Sequence, residues 1–421
     1  MKILVIGDGP AGNAAAISAK NSSRSAQVTV VSEEPYYTPC AFPYYIQGSV
    51  PRDKLYLRSG VRAGELGIVK IIGVKALSID PDQKLVILSN EEELRYDRLI
   101  IATGSKPIIP PIKGLEVAGF HTFKTISDAD RIAGLKPCKT LIVGSGVIGV
   151  ELAIALRKRG FHVSMVEIKD WIIPAAFDRE VSEAIRVKLK KAGINIYTGE
   201  TVQRIEQSDR GNTVVTTRRE ISCSQIIIAA GMKPNTKLAV EAGVRVGSRG
   251  GIVVDEYMQT NISDIYACGD CVESFDPATG RRILNMTWPN AVMQGIVAGC
   301  NSAGRRKRHV WAPRFISVNI FGVPAISIGA TASELQGEIV VKKVSGSKKL
   351  NMIFQGGRLV GAQAFGLVKC VEPVYHGILK SCTIKETLKY ADIMKPLMSP
   401  QIMKLSLNLS LIAGKSTVIH R

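Results

Sequence analysis

Residues 2–20, KILVIGDGPAGNAAAISAK, decide the fold. An apolar strand runs into glycines at positions 7, 9 and 12, and an alanine-rich helix follows. Each glycine has a physical task. Gly7 lets the chain turn sharply off the strand, Gly9 lets the backbone approach a pyrophosphate, and Gly12 lets the helix pack close on its strand. Pro10 and Ala11 lie where the helix begins, and its N-terminus faces the phosphate charge. A second strand, VTVVSEE (28–34), ends in Glu33 and Glu34, carboxylates placed to accept hydrogen bonds from a ribose.

The pattern returns 137 residues later. KTLIVGSGVIGVELAIALRKRGFHVSMVEI (139–168) carries Gly144, Gly146 and Gly149 after an apolar strand, with Val147 and Ile148 between the last two glycines. Its second strand ends in Glu167. Strand, loop, helix, strand and acid, occurring twice, predict two dinucleotide-binding domains in one chain. A carboxylate at Glu167 accepts from a free 2′-hydroxyl and repels a 2′-phosphate. Ile168 and then Lys169 follow, with no arginine set to hold that phosphate, so NADH is expected over NADPH. The plainer reading of Glu167 is a solvated strand-end glutamate.

Composition bounds the rest. The chain of 421 residues is long enough for two or three domains, and its 46 % hydrophobic and 22 % charged residues are globular in character. No apolar run is as long as a membrane helix requires, and MKILVIGDG enters a strand directly, without the pattern of a secretory signal. The eight scattered cysteines are unlike a disulfide scaffold, so a reducing, cytoplasmic setting is expected. Fifty-five Lys+Arg against thirty-six Asp+Glu leave a net charge of +19, which attracts anions. Basic patches such as 157-RKR, 186-RVKLKK and 305-RRKRH come with no nucleic-acid module, so an acidic protein is the more economical partner. Taken singly, each patch also reads as a solvated surface.

Three further motifs stand in order around the glycine loops. RLIIATGSKP (98–107) is a strand ending in Ala102-Thr103-Gly104, IIIAAGMKPN (226–235) passes through Gly231, and TNISDIYACGDC (260–271) runs into Gly269-Asp270. This order, spanning roughly residues 1–400, resembles the FAD-dependent pyridine nucleotide–disulfide oxidoreductases. The resemblance implies that the first loop cradles the FAD pyrophosphate and the second NAD(H). FAD contacts are then expected from Gly7, Gly9, Pro10, Ala11, Gly12, Glu33, Ala102, Thr103, Gly104, Gly269, Asp270 and Trp288. NAD contacts are expected from Gly144, Gly146, Val147, Ile148, Gly149, Glu167 and Gly231. Asp270, at a strand end before a loop, is suited to accept from the ribityl hydroxyls. TWPNAVMQGIVAGCN (287–301) reads as a helix whose N-terminus stabilises charge on a reduced flavin. Glu151 lies where related enzymes keep a glutamate near the nicotinamide; its alternative reading is a first-turn partner of the helix dipole. No metal site is expected.

Cys40 lies in YYTPCAFPYYI (36–46), where the disulfide reductases carry a cysteine pair and this chain has one. The context resembles the single-cysteine branch, the coenzyme A-disulfide reductases and NADH oxidases, in which the thiol cycles over the flavin. A depressed thiol pKa, from a helix N-terminus beside the flavin, is what that chemistry needs. Pro10 stands where oxidase and peroxidase members carry a histidine, which argues against oxygen chemistry. Three readings of Cys40 remain open: a redox thiol, an inherited residue beside the flavin, or packing. Cys268 and Cys271 have CxxC spacing but straddle the Gly-Asp motif, and packing is the expectation there.

Past Arg314, short alternating strands and two helices resemble the family's C-terminal interface domain, expected to pair the chain in a homo- or hetero-oligomer. WPNAV and NIFGVPAISIG resemble the FAD subunits of ferredoxin-linked complexes, such as the NADH-forming flavoprotein subunit of phenylglyoxylate dehydrogenase. An acidic, ferredoxin-like iron–sulfur subunit is therefore the expected partner. The favoured function is electron transfer from it through FAD to NAD in a 2-oxoacid dehydrogenase. The alternatives are an NADH-dependent coenzyme A-disulfide reductase using Cys40 and a non-catalytic FAD-containing subunit. The expected fold is α/β, with two nested Rossmann-like domains and a C-terminal α+β domain. Its boundaries are 1–112 with 249–312 for FAD, 113–248 for NAD(H), and 313–421 for the interface.

Overall fold

The computed structural model describes residues 1–56, 64–208, 211–335, 339–345, 348–367, 371–383 and 385–387. Its principal elements begin with β1 (Lys2–Ile6), α1 (Pro10–Ser22), β2 (Gln27–Ser32), β3 (Val69–Ile72) and β4 (Arg98–Ile101). Next come β5 (Lys139–Val143), α2 (Val147–Lys158), β6 (His162–Glu167), α3 (Arg179–Lys191), β7 (Asn195–Thr198) and β8 (Gln225–Ile228). β9 (Ile265–Ala267) and α4 (Trp288–Ser302) follow. The C-terminal elements are β10 (Phe315–Ile320), β11 (Val323–Gly329), β12 (Ile339–Ser345), β13 (Lys348–Gln355), β14 (Arg358–Phe365) and α5 (Val371–Leu379).

The chain forms two compact units. Unit 1 gathers residues 1–107, 124–129 and 232–311 around a parallel sheet in the order β9-β4-β1-β2-β3. β1, β2 and β4 are largely buried runs of Val, Ile and Leu, the signature of a parallel sheet covered on each side, while the edge strand β3 leaves Val69 and Ile72 exposed. The chain leaves unit 1 through Ser105–Pro107 and returns through Met232–Pro234, and these segments pair antiparallel, which draws 232–248 into the unit. Unit 2 gathers 108–123, 130–231 and 312–421. It holds a second parallel sheet, ordered β7-β6-β5-β8. Each parallel sheet is accompanied by a three-stranded antiparallel meander: Ala76–Asp80, Leu85–Leu88 and Glu93–Arg95 in unit 1, and Val202–Ser208, Gly211–Thr216 and Glu220–Cys223 in unit 2.

The C-terminal part of unit 2 is an antiparallel sheet ordered β10-β11-β14-β13-β12, on which α3 and α5 pack. Asp178 ties α3 to this sheet. It sits at the N-cap of α3 but does not cap it with its side chain. Its carboxylate accepts instead from Gln363 Nε2 at 2.7 Å, and from the N–H groups of Ala332 at 3.0 Å and Ser333 at 3.1 Å. Residues 388–421, with most of the second expected C-terminal helix, lie outside the described residues. Among the described residues no helix is long and apolar enough to cross a membrane.

Candidate functional site

The two glycine loops are built alike. Gly7 has φ +105°, and a Cβ there would strike the carbonyl oxygen of Ala102. Gly144 has φ +103°, and its Cβ would strike the carbonyl oxygen of Ala229. Gly12 and Gly149 lie against the carbonyls of Gly7 and Gly144, so neither helix could approach its loop with a larger residue. Gly9 and Gly146, the middle glycines, are the helix N-caps, and a Cβ at either would meet nothing within 4 Å. That open space lies over the unpaired N–H groups of a helix start, the arrangement that takes a diphosphate. Pro10 opens α1, and Val147 and Ile148 open α2. Ala102-Thr103-Gly104 in unit 1 thus has a structural counterpart in Ala229-Ala230-Gly231 in unit 2, a correspondence the motif spelling conceals.

Unit 1 brings its expected residues together. Thr103 Oγ1 donates to the Asn235 carbonyl at 2.6 Å, and Asn235 N donates to the Gly104 carbonyl at 2.9 Å. Gly269 lies against the Cβ of Ala11 and donates its N–H to Gln294 Oε1 at 2.9 Å. Asp270 is held through one oxygen: Oδ2 accepts from Ser105 Oγ at 2.8 Å and from Lys124 Nζ at 3.4 Å. Trp288 opens α4, one residue later than the sequence suggested, and its buried indole Nε1 has no hydrogen-bond partner among the described residues. The Gln294 amide nitrogen is likewise buried without a partner. Unmatched donors beside open glycine loops fit a large polar ligand, and with both cradles they fit the two dinucleotides FAD and NAD(H). Glu33 stands apart, exposed just beyond β2, with Lys75 Nζ 4.0 Å away.

In unit 2, Glu167 is 7 % exposed and turned toward its own glycine loop. Its Oε2 accepts from Ser145 N at 2.8 Å and Ser145 Oγ at 2.9 Å, and its Oε1 accepts from Lys169 N at 3.0 Å. The carboxylate is thereby fixed at the strand end rather than solvated. Gly231, at φ +112°, accepts the Ile108 N–H at 2.9 Å. Glu151 is half-buried in α2, and burial raises its carboxyl to about 7. It falls in the second helical turn, so it is not a first-turn dipole partner.

Cys40 lies in a 3-10 turn, Pro39–Ala41, that leads into a helix of five residues, Phe42–Ile46. The flanking prolines explain the turn, since Pro39 starts it and Pro43 opens the helix. Of the described cysteines Cys40 alone is exposed. Cys268 and Cys271 are buried thiols, and Cys271 donates to the Cys268 carbonyl at 3.3 Å. Burial pushes Cys271 up to about 11 and raises Cys268 well above the ordinary thiol value. Sequence reasoning missed Lys124, Ser105, Gln294 and an ion pair between the buried Asp8 of the first loop and the half-buried Lys70 of β3. None belongs to a local motif; topology delivers them.

Residues 1–295 match the sequence model of the pyridine nucleotide-disulphide oxidoreductases. The chain is 34 % identical to the NADH oxidase of Methanocaldococcus jannaschii, over 72 % of this chain and 70 % of the other. It is 26 % identical to the NADH-dependent phenylglyoxylate dehydrogenase subunit epsilon of Aromatoleum evansii, over 81 % of this chain and 82 % of that one. Among solved structures it is similar to a NAD-dependent persulfide reductase from A. fulgidus, with a TM-score of 0.86 and 30 % identity, covering 92 % of this chain and 79 % of that one.

Proposed function

Since the chain belongs to the pyridine nucleotide-disulphide oxidoreductase family and is an FAD-dependent NAD(H) oxidoreductase, we propose that it uses NADH to reduce a small disulfide or persulfide through Cys40. The carrying observation is that Cys40 alone of the described cysteines is exposed, in a turn set by two prolines. In this reading the loop of unit 1 holds FAD and the loop of unit 2 holds NAD(H). When bound, FAD supplies a carrier that takes two electrons as hydride from the nicotinamide and hands them on. Gly9 and Gly146 admit the diphosphates to the helix starts, Asp270 accepts from the ribityl chain through the oxygen that Ser105 and Lys124 leave open, and Glu167 accepts from the adenosine ribose. The Cys40 thiolate attacks one sulfur of the substrate and expels the other as thiol or sulfide. Two electrons and a proton then reopen the mixed disulfide, so one NADH and one proton yield NAD+ and two thiols, or one thiol and sulfide.

A second reading is favoured by the net charge of +19. Here electrons pass between NAD(H) and an acidic iron–sulfur subunit, toward NAD, in a ferredoxin-linked 2-oxoacid dehydrogenase. The basic segment Arg305–Arg308 is exposed and pinned by Asn301, which donates to the Lys307 carbonyl at 2.7 Å and accepts the Lys307 N–H at 2.9 Å. An ordered basic surface suits an acidic partner. The C-terminal domain would join copies or subunits.

One experiment separates them. Cys40→Ser should abolish NADH-dependent reduction of coenzyme A disulfide or persulfide while NADH still bleaches the bound flavin. Undiminished disulfide or persulfide turnover in Cys40→Ser sinks the thiol reading. Iron–sulfur subunits that co-purify with the native protein support the second.

A further inference from the structure

Asp8 occupies the variable position between Gly7 and Gly9, and it is 2 % exposed. A buried carboxylate there stands at the positive end of α1, where the diphosphate is to sit, so it competes for the same helix dipole and repels the incoming charge. Lys70 answers it. From β3, with β2 between, its Nζ reaches both carboxylate oxygens, at 2.8 Å to Oδ1 and 2.7 Å to Oδ2. Asn13 Nδ2 donates to Oδ1 at 3.5 Å, and the backbone of Tyr36 adds a further hydrogen bond. At the equivalent position the second loop has Ser145, whose N–H and hydroxyl both donate to the Glu167 carboxylate. Asp8 is buried and Lys70 half-buried, and a pair with a buried member is seldom the cheapest way to fill space, because apolar residues of similar size stabilise as well. The pair therefore has a use other than packing.

We propose that Lys70 is a positioning residue for the dinucleotide of unit 1: it neutralises Asp8, so that the N-terminus of α1 accepts a diphosphate despite a carboxylate in the loop. The proposal rests on the reading that this loop holds FAD. Lys70 does not touch the reacting atoms. Its effect is on affinity, and removing it leaves one uncompensated negative charge at the phosphate site. Removing both members leaves the loop without the charge of either.

The test titrates full-length apoprotein with FAD, following the quenching of flavin fluorescence, and NADH affinity is measured alongside. Lys70→Met should raise the FAD Kd at least about 10-fold. Asp8→Asn with Lys70→Met should bring it back to within a few-fold of the parent, and Asp8→Asn alone should bind FAD at least as tightly as the parent. NADH affinity should stay constant throughout. An unchanged FAD Kd in folded Lys70→Met, or a double variant as weak as the single, overturns the proposal. If Lys70→Met does not fold, Asp8→Asn decides, and weaker FAD binding there overturns it. Gly9→Val tests the premise separately. Its FAD binding should be lost, and if FAD still binds, the loop assignment fails whatever Lys70 does.

Discussion

The carbonyl oxygen of Ala11 lies directly against the Cα of Gly295, so close that a Cβ on Gly295 would overlap it. One turn further along, Ala15 and Gly299 repeat the relationship. Helices α1 and α4 therefore cross at backbone contact, a geometry that only small residues permit and that Cα–H···O contacts accompany. The crossing sets the start of α1 beside the middle of α4, with Gly269 packed on Ala11.

Gly295→Ala should separate those helices. Overpacking at a site closed by backbone costs about 1–3 kcal/mol. A lowered urea midpoint is expected, with FAD lost at lower denaturant than from the parent. An unshifted midpoint would mean that the crossing yields easily.

Glu151 makes stability depend on pH. Its carboxyl titrates near 7 in the folded protein and near 4.5 when unfolded, so between those values the folded state holds a proton that the unfolded state has lost. Its contribution thus falls as pH rises from about 4.5 to about 7 and levels off above. Glu151→Gln should abolish that slope. Denaturation of both proteins across the window, giving parallel curves, would count against burial as the cause.

Native alkylation should mark Cys40 first among the described cysteines. Cys223 and Cys271 are buried with thiols pushed up to about 11, burial raises the Cys268 thiol well above its ordinary value, and the burial of Cys382 also raises its thiol. The thiolate is the reactive form. Brief iodoacetamide treatment and peptide mass spectrometry would read the order, and early modification of Cys268 or Cys271 would contradict it.

Asp178→Ala should loosen the join between α3 and the C-terminal sheet. Three hydrogen bonds to one buried carboxylate vanish, leaving the Gln363 amide and two backbone N–H groups unmatched. A loss of about 3 kcal/mol is expected in urea denaturation. Asp178→Asn should recover part of it.

Much of this is legible in the sequence, for a specific reason. A glycine loop compresses its constraints into six residues, and the turn, the close approach and the helix start all depend on local chain geometry. Gly7, Gly12, Gly144 and Gly149 accordingly stand where their spacing places them. Asp8 with Lys70 could not be read, because 62 residues separate the partners and only the neighbouring of β2 and β3 unites them. Lys124 escaped likewise, carried to Asp270 across 146 residues by a short segment with no motif of its own. Glu151 was half legible: its place after the loop is fixed by spacing, but its burial is a property of packing.

The three-piece construction of unit 1 has a consequence for how the polypeptide is made. Strand β9, at one margin of the central sheet, is encoded after residue 264, whereas the glycine-loop sheet of unit 2 is complete by residue 228. On the ribosome, that later-numbered sheet emerges whole while its predecessor still waits for its last strand. A message cut short before β9 would yield a nascent chain able to close the second nucleotide fold but not the first.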